Sequence, residues 1–118
     1  MGLEKQVAIL AAELSDCKDL FIALGDEVRQ HLIIEMIRMN QYEGVRVGEL
    51  AQRASLSRSA VSHHLQILKD AGIVSMRRIG TRNYYYFNAY DSLEHMIRVM
   101  KQVQEIEKHV PKPENEEW

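Results

Sequence analysis

The side chains best able to do chemistry in this chain lie between Ser57 and Gly72. A helical period over this stretch puts Val61, Leu65 and Leu68 on one side and Ser59, Ser62, His63 and Gln66 on the other. The second face carries almost no formal charge. Its hydroxyl, imidazole and amide groups are the kinds that probe the donor and acceptor pattern of base edges in a DNA major groove. Ser57 is a natural N-cap, and Gly72 after Ala71 is a natural stop. No Gly-rich phosphate loop, nucleophile elbow, paired-carboxylate motif or zinc-hydrolase helix accompanies them, so the chain does not read as an enzyme.

Two other sets of residues could be reactive. Asp91 with His95, and Glu105 with His109, are spaced i, i+4 on one face of a helix expected over 90–110, opposite Leu93, Ile97 and Met100. A partner helix running antiparallel could bring His95 of one chain near His109 of the other and form a metal site. The preferred reading is the polar face of a helix–helix seam, with no metal and no other cofactor. Cys17, the one cysteine, cannot form a disulfide within the chain and reads as a small buried hydrophobe, with thiol oxidation as the alternative. His31 and His64 read as packed residues flanking the core, whereas His63 points to the base-reading side.

The elements that must position Ser59, Ser62, His63 and Gln66 can be read outward from them. Val47 to Ala54 forms a short amphipathic helix ending at the tight Ser55-Leu56-Ser57 connection, so 47–71 is a helix-turn-helix. After Gly72 the pattern turns extended. Ile73 to Ile79 and Asn83 to Phe87 flank Gly80-Thr81-Arg82, giving a two-stranded wing over 73–88 with a basic tip. Arg46, Arg53, Arg58 and Lys69 are placed to meet phosphates, and Arg77, Arg78 and Arg82 to hold the wing against a flanking groove. From Arg46 to Arg82, seven Lys or Arg stand against Glu49 and Asp70, a net +5. The whole chain is −2, which leaves −7 for the remainder. That asymmetry is the electrostatic footprint of a nucleic-acid binder.

A scaffold helix is capped by Asp26, with Leu32, Ile33, Met36 and Ile37 expected inward, and Cys17 to Leu24 leads into it. Near the N-terminus Leu3, Val7, Leu10 and Leu14 recur at spacings of four and three. Near the other end Leu93, Met96, Ile97, Met100, Val103, Ile106 and Val110 do the same before Pro111 and Pro113. These stripes, on helices over 1–15 and 90–110, exceed what a small core needs and predict a twofold homodimer. The expected organisation is one mainly α domain over 1–110 with a small β-hairpin, followed by an acidic, disordered tail over 111–118. No apolar run is long enough to span a bilayer, and the N-terminus lacks a signal-peptide pattern, so the expectation is a cytoplasmic protein without a membrane partner.

Several spaced motifs, in one order, resemble a known family. Asp26-Glu27-Val28-Arg29, Glu49-Leu50-Ala51, Ser59 through Leu65, Leu68 through Val74, and Arg78-Ile79-Gly80 followed by Tyr84-Tyr85-Tyr86-Phe87 are similar to the ArsR/SmtB winged-helix regulators, over roughly Leu20 to Met100. The resemblance implies a winged helix-turn-helix repressor that dimerises through its first and last helices and binds an inverted repeat. It also implies release by a metal ion, a thiol oxidant or another small signal. Many metal-responsive members carry Cys-x-Cys at the start of the first helix of the helix-turn-helix. Here Arg46 and Gly48 hold those positions, so that site is absent. The family's Asp-x-His arrangement on the last helix is also not matched by Asp91, His95, Glu105 and His109. The effector, a small molecule or ion, is left open. The competing readings are a protein-interaction module without DNA readout and a metal-responsive repressor using the last helix.

Overall fold

Local capping sets the helix boundaries in the middle of the chain. In the computed structural model, which describes residues 2–39 and 42–114, Asp26 Oδ1 accepts the Arg29 backbone N–H at 2.9 Å and Ser57 Oγ accepts that of Ala60 at 3.1 Å. Each satisfies a donor left without a helical partner. The elements in chain order are α1 (Leu3–Asp16), α2 (Lys18–Leu24), α3 (Glu27–Arg38), α4 (Val47–Ala54), α5 (Arg58–Asp70), β1 (Val74–Ile79), β2 (Arg82–Phe87) and α6 (Tyr90–Glu107). The architecture is a winged helix-turn-helix: six helices and a two-stranded antiparallel hairpin.

The described residues gather into two compact units, one from Lys18 to Ser92 and one made of the first seventeen residues and those from Leu93 onward. In the first, α2, α3, α4 and α5 pack around Leu32, Met36, Leu50, Val61, Leu65 and Leu68, all fully buried. α4 turns into α5 through Ser55, the one non-glycine residue with positive φ (56°) among those described. Gly72, at φ 81°, follows the end of α5. Its carbonyl accepts the Ser92 hydroxyl at 2.8 Å.

The hairpin pairs Val74 with Phe87 through to Ile79 with Arg82, so the turn is the two residues Gly80-Thr81. Gly80 supplies the positive φ (64°) that a two-residue hairpin turn demands. Arg82, expected in the tip, is therefore the first residue of β2, opposite Ile79. Val45 exchanges both backbone hydrogen bonds with Tyr85 at 2.8 Å, tying the segment before α4 to the wing.

Three expectations on α3 and α6 need correction. Ile37 is 53% exposed and Ile33 only half-buried; the buried face of α3 instead continues through Arg29 and Glu35, which are neutralised by partners. His31 is exposed rather than packed. α6 ends at Glu107, not at 110, because the residue before Pro111 is pushed out of the helical region and the chain leaves the helix a turn early.

The second unit contains α1 and most of α6. α1 buries none of its residues: Leu3, Val7, Ile9 and Leu14 are exposed and Leu10 is half-buried. On α6 only Val99 is fully covered; Leu93 and Met96 are half-buried, and Ile97, Met100 and Val103 are exposed. Of the tail, residues 115–118 lie outside the described residues. No helix among the described residues is long and apolar enough to cross a membrane.

Candidate nucleic-acid interface

Helix α5 separates its two faces cleanly. Val61, Leu65 and Leu68 are fully buried, while Ser59, Ser62, His63, Gln66 and Lys69 are exposed. The burial follows from the period: apolar residues at i, i+4 and i+7 lock one side against α2, α3 and α4, which presents the opposite side to solvent. Gln66 donates to Asp70 at 2.8 Å, so its amide is held along the helix in the absence of DNA.

The basic residues fall into distinct environments. Arg46, at the N-cap of α4, donates its backbone N–H to Glu49 at 3.3 Å. The Arg58 guanidinium lies against Gly48 in α4's first turn; a β-carbon there would stand 2.9 Å from its Nη2. Arg46, Gly48, Glu49, Gln52 and Arg58 thus line one surface recess where the two helices meet. On the wing, register and strand alternation put Arg77, Ile79, Tyr84 and Arg82 on one face and Arg78 on the other. Arg77, Arg78 and Arg82 are all exposed, and Arg78 Nε donates to the Gly80 carbonyl at 3.3 Å.

Arg53 differs from the rest. Its Nε donates to Glu35 Oε2 at 3.1 Å, and Arg38 reaches Oε1 of the same carboxylate at 3.1 Å. Burial opposes ionisation of Glu35, but the hydrogen bonds and charges of Arg53 and Arg38 outweigh it and hold the carboxyl below its ordinary range. A second polar cluster joins α3 to α5. Arg29 is buried; its Nε donates to the Ala23 carbonyl at 2.9 Å, its Nη2 to that of Ile22 at 3.0 Å, and its Nη1 lies 3.3 Å from His64 Nδ1. The Asp26 carboxyl is held low, chiefly by the Arg29 backbone N–H and also by the Arg29 charge.

Asp91, His95, Glu105 and His109 do not converge within one chain. His95 is half-buried with its ring beside buried Cys17, Sγ to Nδ1 3.6 Å. Burial, followed by the charges of Asp16 and Glu13, pushes that thiol above its ordinary range. Glu105 instead pairs with Lys108 at 2.8 Å, which lowers its carboxyl, and His109 lies beyond the end of α6. Among the described residues no three His, Cys, Asp or Glu side chains are grouped to hold a metal ion.

Sequence comparison places this geometry. The profile of the arsR family of bacterial regulatory proteins matches residues 39–76, which contain the whole helix-turn-helix. An HTH-type transcriptional regulator of Methanocaldococcus jannaschii, MJ1325, is 32% identical over 85 residues, covering 72% of this chain and 91% of that protein. This chain belongs to the ArsR family.

Further similar proteins agree. The Bacillus subtilis transcriptional repressor SdpR is 30% identical over 82 residues, 67% of this chain and 87% of its own. Among solved structures, an ArsR-like transcriptional regulator from Rhodococcus superposes with a TM-score of 0.66 at 25% identity, covering 84% of this chain and 87% of that one. The homodimeric winged helix-turn-helix DNA-binding domain of Mycobacterium bovis Mb0332 does so at 0.60 and 25%, covering 87% and 92%. The protein is thus an ArsR-family transcriptional regulator with a winged helix-turn-helix DNA-binding fold.

The sequence reading gave no role to Glu35, none to Arg29 beyond its place in the Asp26-to-Arg29 motif, and none to Gly48 beyond the missing Cys-x-Cys pair. The first two are charges inside an apolar stripe, where hydrophobic period carries no information about which partner neutralises them. Gly48 did carry a signal, since a glycine inside a helical pattern costs about 1 kcal/mol relative to alanine and asks for a packing reason.

Proposed function

We propose that this ArsR-family regulator is a repressor that binds an inverted-repeat operator as a homodimer. The observation that carries this reading is the exposed, uncharged face of α5, bordered by Arg58 and Lys69 and set on a fully buried apolar stripe. Ser59, Ser62, His63 and Gln66 read base edges, and Arg46, Arg58 and Lys69 fix the register on phosphates. Arg53 contributes the part of its half-exposed guanidinium that Glu35 does not engage. Arg77, Arg78 and Arg82 carry the wing along the flanking groove. The exposed stripes Leu3, Val7 and Leu14 of α1 and Ile97, Met100 and Val103 of α6, with half-buried Leu10, Leu93 and Met96 beside them, support pairing with a second copy. A relative with the same fold is a homodimer. A twofold dimer sets its two reading helices about 34 Å apart, one DNA turn. Bound there, the dimer blocks polymerase.

The test is fluorescence anisotropy of the purified protein with its own promoter fragment and with a scrambled fragment at fixed salt. Repetition with Zn²⁺ and with an oxidant addresses the signal. Preference for the promoter supports the reading. Equal affinity for both fragments overturns it in favour of a protein-interaction module.

A further inference from the structure

Arginine carries only donors, so a guanidinium nitrogen 3.3 Å from His64 Nδ1 requires that Nδ1 be the acceptor. The imidazole on this side of α5 is then neutral, with its proton on Nε2. Arg29 is poorly free to turn away. It is buried, its other two nitrogens are bound to the carbonyls of Ala23 and Ile22 at the end of α2, and the Asp26 carboxylate stands 3.9 Å from Nη1. His64 directly follows His63, the rings 5.6 Å apart at 60°, and is half-buried on the turn that carries Ser62, His63 and Gln66.

From this geometry we infer that Arg29 and His64 form a positioning pair: Arg29 fixes the rotation of the reading helix about its own axis by holding His64 in the Nε2–H tautomer. The inference rests on the proposed DNA reading and adds a residue pair that does not itself contact bases. The apolar stripe alone sets the depth of α5 in the core but tolerates small rotations, because Val61, Leu65 and Leu68 are all aliphatic. A directional hydrogen bond from a guanidinium immobilised by α2 does not. A small rotation of α5 would move hydroxyl and imidazole donors off base edges while leaving the long, flexible arginines in reach of phosphates. Loss of the pair should therefore erode discrimination and spare general affinity.

Three His64 variants and the imidazole spectrum test this. In the full-length protein at neutral pH, long-range ¹H–¹⁵N correlation should give His64 an unprotonated, hydrogen-bond-accepting Nδ1 and a protonated Nε2. His64→Leu, which keeps bulk and removes the acceptor, should lower the promoter-to-scrambled affinity ratio about tenfold, as expected for one hydrogen bond to a charged group. Its affinity for scrambled DNA should hold. His64→Asn returns an oxygen near the Nδ1 position at similar helix propensity and should restore most of the ratio. His64→Gln, whose amide extends towards the Nε2 position, should restore less. A ratio unchanged in His64→Leu, or a spectrum with the proton on Nδ1, overturns the positioning pair. Promoter preference absent in the wild-type protein overturns the DNA reading instead, so the two failures are distinguishable.

Discussion

Arg53 Nε stands 3.1 Å from Glu35 Oε2, binding an arginine of the helix-turn-helix to a carboxylate on α3 whose side chain is only 10% exposed. Arg38 holds the other oxygen. The folded state thus keeps Glu35 ionised to lower pH than the unfolded chain does. A depressed carboxyl contributes stability that is fully present above the ordinary value of 4.5 and is lost as pH falls through the folded value. Thermal unfolding followed between roughly pH 3 and 7 should show wild-type stability falling below that value. Glu35→Gln should be less stable at neutral pH and flatter across the acid window. An unchanged acid slope in the variant would mean the pair adds nothing.

Gly48→Ala should separate stability from binding. Alanine inside α4 favours the helix by about 0.5–1 kcal/mol, while its β-carbon takes the space occupied by Arg58 Nη2. Arg58 swings away because its end is flexible. The variant should melt at an equal or higher temperature and bind all DNA more weakly, with a shallower salt dependence. Undiminished affinity would show that the present seat of Arg58 is irrelevant to binding.

His63→Ala and Arg82→Ala should fail differently. The first removes an exposed imidazole from the proposed reading face and should reduce promoter preference more than affinity for random DNA. The second removes a wing charge and should weaken binding to every sequence, with the salt slope smaller by about 1. If His63→Ala leaves the preference intact, the reading face is misassigned.

Ile97→Glu probes pairing. Ile97 is 49% exposed within its own chain, so a carboxylate there costs the lone chain little but meets apolar surface in a dimer. Sedimentation should show a dimer for the wild-type protein and a monomer for the variant, with helicity nearly unchanged. A dimer that survives the substitution would place the interface elsewhere.

Much of this fold was legible because α5 announces itself three times. Its N-cap, its apolar period and its terminating glycine agree, and the helix begins and ends where Ser57 and Gly72 put it. The family relationship was legible for a similar reason, since several motifs keep one order. Less legible was α3, where Ile37 was expected in the core and neither Arg29 nor Glu35 was given a place in it. Hydrophobic spacing ranks side chains by polarity alone, and cannot register that two arginines hold Glu35 or that two helix-end carbonyls hold Arg29. Arg82 was misplaced by one position because three loop residues were assumed where glycine permits two.

Helix α1 fully buries none of its side chains within its own chain. Under the proposed assembly its apolar surface is covered only when two copies meet, so mass action links its burial to protein concentration. While monomers predominate, the number of dimers grows as the square of total protein. Halving expression would then cut promoter occupancy fourfold in the unsaturated regime, and gene dosage alone would act as a steep input to the circuit, with or without an effector.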